Sequence, residues 1–360
     1  GRPSRIAPRP APLSAPEIRI DQLTGARVLV TPARAERPDQ FEVGDWQPEG
    51  PEGCPFCEGS ESKTPPELAA DRPDGSPPDG PGWLTRTVEN AYPALVSEAE
   101  QEEHGKSEPD SAFSSPADPL LASSRGTDPD MFVSRPATGA HEVIINAPSH
   151  LTTLAELGED GVGRAVAAWR GRIAAHADAP YCQLLVNQGP DSGASLEHTH
   201  AQLGALPFVP ATVARERERF NSYRERTAGA SLLGEILREE IRRRDRLIAI
   251  DDEVALICPW ASRSPYEMRI IPRRPEARFD EGEGGAAMLA RAVKGLDDLF
   301  GRTSLSLWVT TAPRGVEHFH WHLDLSPRLE PVAAFEMATG VSINVTSPEQ
   351  AATRLREAIA

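Results

Sequence analysis

Two histidines and a glutamine alternate near the middle of the chain, where His198, His200 and Gln202 form an H-x-H-x-Q motif. In an extended strand alternate side chains project from one face, so these three would share a surface. A Gly-rich loop at 187–195 precedes them, and backbone N–H groups of such a loop can approach a phosphate closely. This combination is typical of attack on phosphorus, with one histidine as nucleophile and the amide holding a phosphoryl oxygen. The alternative is a strand whose polar residues merely face solvent.

Cys54 and Cys57 form a C-x-x-C motif, a spacing that lets two thiolates bind one Zn²⁺. The same spacing occurs in redox-active dithiols, which need a preceding strand and a following helix. Here the flanking residues read as loop, so the metal interpretation is favoured. His150 and His198 are the candidates for the two remaining ligands, although His150 alone could be an exposed loop imidazole.

A second histidine-rich segment contains His318, His320 and His322. A strand here would place all three imidazoles on one face and aromatic residues on the other. This predicts a metal or phosphate site, and the alternative is a histidine-bearing strand without a ligand. We do not expect a second catalytic centre, because the preceding residues 311–317 are charged and form no Gly/Ser phosphate loop.

Hydrophobic periodicity predicts the elements that position these motifs. Each half of the chain is expected to contain several strands and a long helix, which suggests two related α+β halves. The predicted strands are 26–31, 86–88, 142–146, 183–186, 247–250, 254–258, 268–271, 305–310 and 319–325, and the predicted helices are 161–177, 212–225, 232–246 and 286–300. A last helix should begin after Ser347, with Pro348 at its first position and Gln350 closing a capping box. Two stretches poor in apolar residues, 59–82 and 97–140, are predicted to be solvated insertions, the second disordered at least in part.

Composition limits the classes of function. The 360 residues include 38 Lys+Arg and 54 Asp+Glu, a formal net charge of −16. A surface this acidic repels phosphate backbones and anionic lipids, so nucleic-acid and membrane partners are not expected. The N-terminus does not read as a signal peptide. Four cysteines, two of them at metal-ligand spacing, indicate a globular protein of a reducing compartment, which predicts a cytoplasmic location.

Together, these motifs resemble the galactose-1-phosphate uridylyltransferase branch of the histidine-triad superfamily. The matching segments follow the family's order along nearly the whole chain, apart from 97–140. They are 23–38, 54–57, 90–93, 141–150, 198–202, 265–267, 320–322 and 335–337. The resemblance implies an α+β fold of two histidine-triad-like halves, 1–210 and 211–360, each an antiparallel sheet with packed helices.

The resemblance also implies roles for individual residues. His200 matches the family's nucleophile, and Gln202 and Ser195 match its catalytic phosphoryl contacts. The substrate-binding positions are Arg34, Arg37, Asn90, Asn187, Ser195, Gln202 and Glu336. The ligands of a structural zinc are Cys54, Cys57, His150 and His198. A possible second metal, zinc or iron, would bind Glu216, His320 and His322, and the family's third histidine at that site has no counterpart here.

The activity that the resemblance implies is nucleotidyl transfer through a covalent nucleotidyl-histidine. The first expectation is a UDP-glucose–hexose-1-phosphate uridylyltransferase of galactose metabolism, a homodimer whose substrates are a nucleotide-sugar and a sugar 1-phosphate. The second is a phosphorylase of the same fold, which transfers the nucleotidyl group of ADP-glucose or a dinucleoside polyphosphate to phosphate. A non-catalytic, zinc-stabilised nucleotide binder is the third. The motif reads His-Thr-His-Ala-Gln where the best-known members have His-Pro-His-Gly-Gln, and the hexose is left open.

Overall fold

A computed structural model describes residues 15–36, 46–97, 99 and 136–359. The strands are β1 (Glu17–Ile20), β2 (Arg27–Val30), β3 (Glu67–Asp71), β4 (Thr85–Glu89), β5 (Ala140–Ile145), β6 (Tyr181–Gln188), β7 (His200–Leu206), β8 (Leu247–Ile250), β9 (Val254–Ile257), β10 (Met268–Pro272), β11 (Leu305–Thr310), β12 (His322–Pro327) and β13 (Ser342–Asn344). The α-helices are α1 (Gly158–Ala175), α2 (Ala211–Arg226), α3 (Leu232–Arg243), α4 (Ala286–Phe300), α5 (Ala334–Thr339) and α6 (Pro348–Ile359).

Ten strands form one sheet in the order β3-β4-β5-β7-β6-β11-β12-β10-β9-β8, and a small sheet has the order β1-β2-β13. Read from its outer edge to the centre, one half of the large sheet has the order β3-β4-β5-β7-β6, and the other half has the order β8-β9-β10-β12-β11. In both halves the fifth strand along the chain therefore lies between the third and the fourth. The two fourth strands, β6 and β11, pair antiparallel at the centre. In each half a helix, α1 or α4, follows the third strand, and these two helices pack together. The α+β class is therefore confirmed, and the division into 1–210 and 211–360 remains a proposal that this strand order supports.

Helices cover both faces of the sheet, since α1, α4 and α6 contribute to one core cluster and α2 and α3 to another. The predicted apolar stripe of α1 is confirmed, because Val162, Val166, Trp169 and Ile173 are buried and contribute to the main core. Residues 201, 203 and 205 of β7 belong to the same core. Since side chains alternate along a strand, His200 and Gln202 project from the opposite face of the sheet.

Several predicted elements agree closely with the structure. The strands at 247–250 and 305–310 and the helix at 286–300 have the observed bounds. Ser347 caps α6, since its Oγ accepts a hydrogen bond of 3.3 Å from the Gln350 backbone N–H. The sequence analysis missed β1, β3, β13 and α5.

The segment 59–82, predicted as a solvated insertion, is mostly exposed, but it also contributes strand β3 to the edge of the large sheet. Strand β3 pairs antiparallel with β4, and Ala70 packs against a small apolar cluster that includes Trp83 and Val88. Ion pairs add to these contacts. Glu67 Oε2 lies 2.6 Å from Arg72 and 3.2 Å from the buried guanidinium of Arg86. The second predicted insertion, 97–140, lies mostly outside the described residues. In the described part of the chain, no helix is long and apolar enough to cross a membrane.

Candidate active site

The nucleophile candidate, His200, is the first residue of β7 and is 5% exposed. Its Nδ1 lies 2.8 Å from the carbonyl oxygen of His198. Because a carbonyl can only accept, Nδ1 carries the proton and Nε2 carries the lone pair. Burial lowers the pKa of His200, partly offset by this hydrogen bond, so the ring is neutral at neutral pH. A neutral imidazole with a free Nε2 lone pair is the form that attacks phosphorus.

Residues outside the H-x-H-x-Q motif fix the start of β7. The Asn146 N–H donates to the Thr199 carbonyl (3.2 Å), and Asn146 Nδ2 donates to Thr199 Oγ1 (3.1 Å). Trp169 Nε1 in turn donates to Asn146 Oδ1 over 3.0 Å. The edge of the Phe56 ring packs against the His200 imidazole, with centroids 5.3 Å apart. The sequence analysis assigned none of these three supporting residues, because their roles depend on tertiary contacts.

The four predicted zinc ligands, Cys54, Cys57, His150 and His198, converge, with one ligand atom from each within 4.8 Å of all the others. His198 Nδ1 lies 3.6 Å from the sulfurs of Cys54 and Cys57, and His150 Nδ1 lies 3.5 Å from Cys57 Sγ. A tetrahedron with Zn–S of about 2.3 Å and Zn–N of about 2.0–2.1 Å has S···N edges of about 3.6 Å. The arrangement therefore fits a tetrahedral zinc ion.

Hydrogen bonding supports the same assignment. His198 Nε2 lies 2.8 Å from the Ala147 carbonyl, so Nε2 is the donor and Nδ1 presents its lone pair to the thiols. Burial lowers the pKa of His198 to about 4, which keeps the ring neutral as a metal ligand must be. On His150, Nε2 faces Glu197 Oε2 at 4.0 Å, and Glu197 also accepts from the Glu49 N–H.

The Gly-rich loop before β7 is anchored to the other half of the sheet. Gly189 has φ 77°, and a Cβ there would lie 2.5 Å from Ser304 Oγ and 2.6 Å from Trp46 Nε1. The Asp191 N–H donates to Ser304 Oγ over 3.2 Å. Gln188 connects the two halves of the chain, since its Oε1 accepts from the Leu154 N–H and its Nε2 donates to the Thr303 carbonyl.

Three predicted phosphate or substrate contacts lie on or beside this loop. Leu185 of β6 pairs with Gln202, and the same register continued places Asn187 opposite His200. Ser195 is exposed on the loop itself. On Gln202, Oε1 lies 3.0 Å from His141 Nε2, and Asn90 Nδ2 lies 3.3 Å from the same nitrogen. The nucleophile candidate is thus accompanied by three carboxamides, those of Asn90, Asn187 and Gln202, and the Gly-rich loop carries the Ser195 hydroxyl.

The family model described as "Galactose-1-phosphate uridyl transferase, N-terminal domain" matches residues 84–210. The ADP-glucose phosphorylase of Arabidopsis thaliana is 31% identical over 363 residues, which cover 95% of this chain and 93% of that protein. The chain belongs to the galactose-1-phosphate uridylyltransferase family. The Thermotoga maritima galactose-1-phosphate uridylyltransferase is 27% identical over 95% of this chain and 98% of its own length.

Solved structures of the uridylyltransferase family extend the comparison. A crystal structure of the Arabidopsis thaliana ADP-glucose phosphorylase with bound ADP-glucose has a TM-score of 0.76 and 28% identity, and it covers 96% of this chain and 99% of that one. The resemblance found in the sequence is confirmed, and the chain is a nucleotidyltransferase of this family type.

For three residues with predicted substrate-binding roles, the described part of the chain shows no contact with the residues around His200. Arg34 is exposed in a short 3₁₀ helix after β2, and its side chain has no hydrogen bond or ion pair with the residues that the structure describes. Arg37 lies outside the described residues. Glu336 accepts from the Ala333 N–H at the start of its own helix, α5. Their substrate-binding roles remain proposals.

The second metal site of the uridylyltransferase family is not assembled from Glu216, His320 and His322. Among the described residues, the zinc candidate set is the one cluster of three or more suitable ligands. His320 uses both ring nitrogens, since Nε2 donates to the Pro272 carbonyl (2.9 Å) and Nδ1 lies 3.3 Å from Ser231 Oγ. The His322 Nε2 lies 3.8 Å from Glu216 Oε2, and both buried atoms lack a hydrogen-bond partner among the described residues, so two of the three predicted ligand atoms are free and those of His320 are not.

The predicted histidine face at 318–322 is also wrong. Strand β12 begins only at His322, and His318 is exposed while His320 and His322 are buried. Asp324, which stands two residues after His322 as Gln202 does after His200, forms an ion pair of 2.7 Å with Arg269. The buried guanidinium supplies a fixed positive charge to this region.

Proposed function

We propose that the protein is a nucleotide-sugar phosphorylase that transfers the adenylyl group of ADP-glucose to inorganic phosphate through an adenylyl-His200 intermediate. The observation that carries this proposal is the 2.8 Å hydrogen bond from His200 Nδ1 to the His198 carbonyl, because it leaves Nε2 as the attacking atom. The full-length similarity to an ADP-glucose phosphorylase supports this donor and acceptor, since 31% identity exceeds the 27% shared with the Thermotoga maritima uridylyltransferase.

The reaction proceeds in two displacements. His200 Nε2 attacks the α-phosphorus with its lone pair, the bond from phosphorus to the bridging oxygen breaks, and glucose 1-phosphate leaves. A phosphate oxygen then attacks the same phosphorus, the P–N bond breaks, and ADP leaves with His200 neutral again. Neither displacement requires a proton from His200, because Nδ1 keeps its proton on the His198 carbonyl throughout. A covalent intermediate divides one difficult displacement into two easier ones.

Neighbouring groups hold the phosphoryl oxygens. The Gln202 carboxamide and the loop N–H groups donate to the phosphoryl oxygens, on which negative charge is stabilised in each transition state. Cys54, Cys57, His150 and His198 would hold Zn²⁺, which would crosslink the C-x-x-C loop to the start of β7. Four protein ligands leave no open position, so this role is structural.

The second candidate is uridylyl transfer from UDP-glucose to a hexose 1-phosphate in galactose metabolism. The match of 84–210 to the uridyl transferase domain favours it. The same His200 chemistry applies, and only the base and the acceptor differ. Assembly as a homodimer and a cytoplasmic location remain predictions for either candidate.

An acceptor assay separates these functions. Purified protein is incubated with ADP-glucose or UDP-glucose, each with ³²P-phosphate or with galactose 1-phosphate. Label that enters ADP supports the phosphorylase. Formation of UDP-galactose without label in ADP would replace it with the uridylyltransferase, and unchanged nucleotide-sugar in every arm, with zinc bound, would favour a non-catalytic binder.

A further inference from the structure

His141 connects the loop after β4 with the phosphoryl-binding amide. It is the second residue of β5, and its imidazole meets one group on each side. Nδ1 lies 3.0 Å from the Ala94 backbone nitrogen, and Nε2 lies 3.0 Å from Gln202 Oε1. Its own carbonyl accepts from the Asn90 N–H over 2.8 Å.

These contacts fix the tautomer of His141. A backbone N–H can only donate, so Nδ1 accepts and carries no proton. In the neutral ring the proton is then on Nε2, which therefore donates to the carboxamide oxygen of Gln202. The Asn90 Nδ2 is also a donor, so its 3.3 Å approach to the same nitrogen is a contact and not a hydrogen bond.

We infer that His141 is a positioning residue that orients the Gln202 carboxamide for phosphoryl binding. A terminal amide has an oxygen end and an NH₂ end of nearly equal size, and only the NH₂ end can donate to an anionic phosphoryl oxygen. With Oε1 held by His141, the NH₂ group is directed away from the imidazole and is available to the phosphate. This role rests on the proposed function of Gln202.

Because His141 contacts both Gln202 and the 90–97 loop, the orientation of the Gln202 carboxamide depends on that loop. Asn90 Oδ1 accepts from the Tyr92 N–H over 2.9 Å, and Ala94 supplies the donor that selects the His141 tautomer.

Three substitutions of His141 test this role. Glutamine reaches the position of Nε2 and can donate to Gln202, whereas asparagine reaches only the position of Nδ1. We expect His141→Gln to keep kcat within about 3-fold of wild type, while His141→Asn and His141→Ala lower kcat by about 10- to 100-fold with little change in KM, below the 10²–10³-fold loss typical of removing a donor outright. His318→Ala, at an exposed histidine, is the matched control and should leave kcat unchanged.

A double-mutant cycle distinguishes positioning from general support of the fold. If His141 acts through Gln202, His141→Ala should cause no further loss of kcat in a Gln202→Ala background. Equal losses in both backgrounds, with a matching fall in Tm, would overturn the inference. Equal kcat for wild type and His141→Ala would also overturn it.

An activity-independent readout separates this inference from the proposed function. In protein labelled with ¹⁵N-histidine, NMR should show His141 protonated at Nε2 and unprotonated at Nδ1. The opposite tautomer overturns the inference even in an active enzyme. If wild type turns over no nucleotide-sugar but the expected tautomer is found, the proposed function fails and the orientation of Gln202 stands.

Discussion

His198 and His200 are joined by a hydrogen bond of 2.8 Å, in which His200 Nδ1 donates to the His198 carbonyl. The imidazole of His198 turns to the two thiols of the C-x-x-C motif, while the backbone of the same residue sets the tautomer of His200. A single residue thus links the zinc candidate site to the proposed nucleophile. Substitution of a metal ligand should therefore shift the His198 backbone and lower the reactivity of His200.

Loss of one thiolate tests that link. Cys54→Ser should release the metal, lower Tm and reduce kcat, because the start of β7 loses its crosslink. Metal analysis, calorimetry and turnover of the same sample measure the three effects. Cys258→Ser, at a buried cysteine in the other half of the chain, is the control and should keep the metal. Less than about half an equivalent of metal in folded, active wild type would contradict the zinc assignment.

The metal content should be one zinc per chain. His320 has both nitrogens engaged, and Arg269 already brings a positive charge to Asp324. His320→Ala and Glu216→Gln should consequently leave the metal content unchanged. A second equivalent of metal in wild type that is lost in either variant would contradict this prediction and support the second metal site.

Gly189→Ala should displace the Gly-rich loop at 187–195. Its Cβ would meet Ser304 and Trp46 at distances no real Cβ contact shows, at a backbone φ of 77°. We expect a loss of about 2–4 kcal/mol in the free energy of unfolding, from strain and overpacking together, and a raised KM for the nucleotide-sugar. Gly193→Ala is the matched control, since its φ is 82° but nothing lies within 4 Å of the added Cβ. Equal effects of the two substitutions in urea unfolding would refute the packing argument.

The environment of the Glu142 carboxylate predicts that its contribution to stability depends on pH. Burial opposes its ionisation, but hydrogen bonds from His176 and Arg172, both 2.7 Å, outweigh burial and hold the pKa of Glu142 below its usual range. A lowered folded-state pKa stabilises the protein above the unfolded-state pKa of about 4.3, and this stability is lost as pH falls through the folded value. Glu142→Gln should cost about 2 kcal/mol at pH 7, and the difference from wild type should shrink as the pH falls below about 4.

Urea unfolding at a series of pH values measures this difference. Glu357→Gln, at an exposed carboxylate of α6, is the control and should show little effect at any pH. A cost for Glu142→Gln that is independent of pH would contradict the role of its charge.

The sequence predicts elements whose apolar periodicity is strong, such as β11 and α4. Strand β1 escapes prediction because it reverses the usual pattern, with Ile18 and Ile20 exposed and Arg19 buried. Arg19 is accommodated by residues distant in sequence, since its guanidinium stacks 3.9 Å from the Trp260 ring and pairs with Glu349 at 2.9 Å. Contacts with residues this distant in the chain cannot be predicted from the sequence around Arg19.

The same distinction applies to the site. His198, His200 and Gln202 are predictable because their spacing lies within one short segment, and the zinc candidates because the family pattern links them. His141 is not, because its role follows from the pairing of β5 with β7 and from the position of Ala94. Two sequence features marked His141, since it begins the 141–150 segment that resembles the family and precedes the predicted strand at 142–146.

Covalent labelling of His200 tests the central claim most directly. Protein is incubated with ADP-glucose labelled at the α-phosphate, denatured, and digested to locate the label, with UDP-glucose as the parallel donor. Wild type should carry acid-labile label on His200, a chase with phosphate should release it as ADP, and folded, metal-containing His200→Ala should carry none. Label retained by His200→Ala, or product formation by wild type with no label on His200 from either donor, would contradict the account.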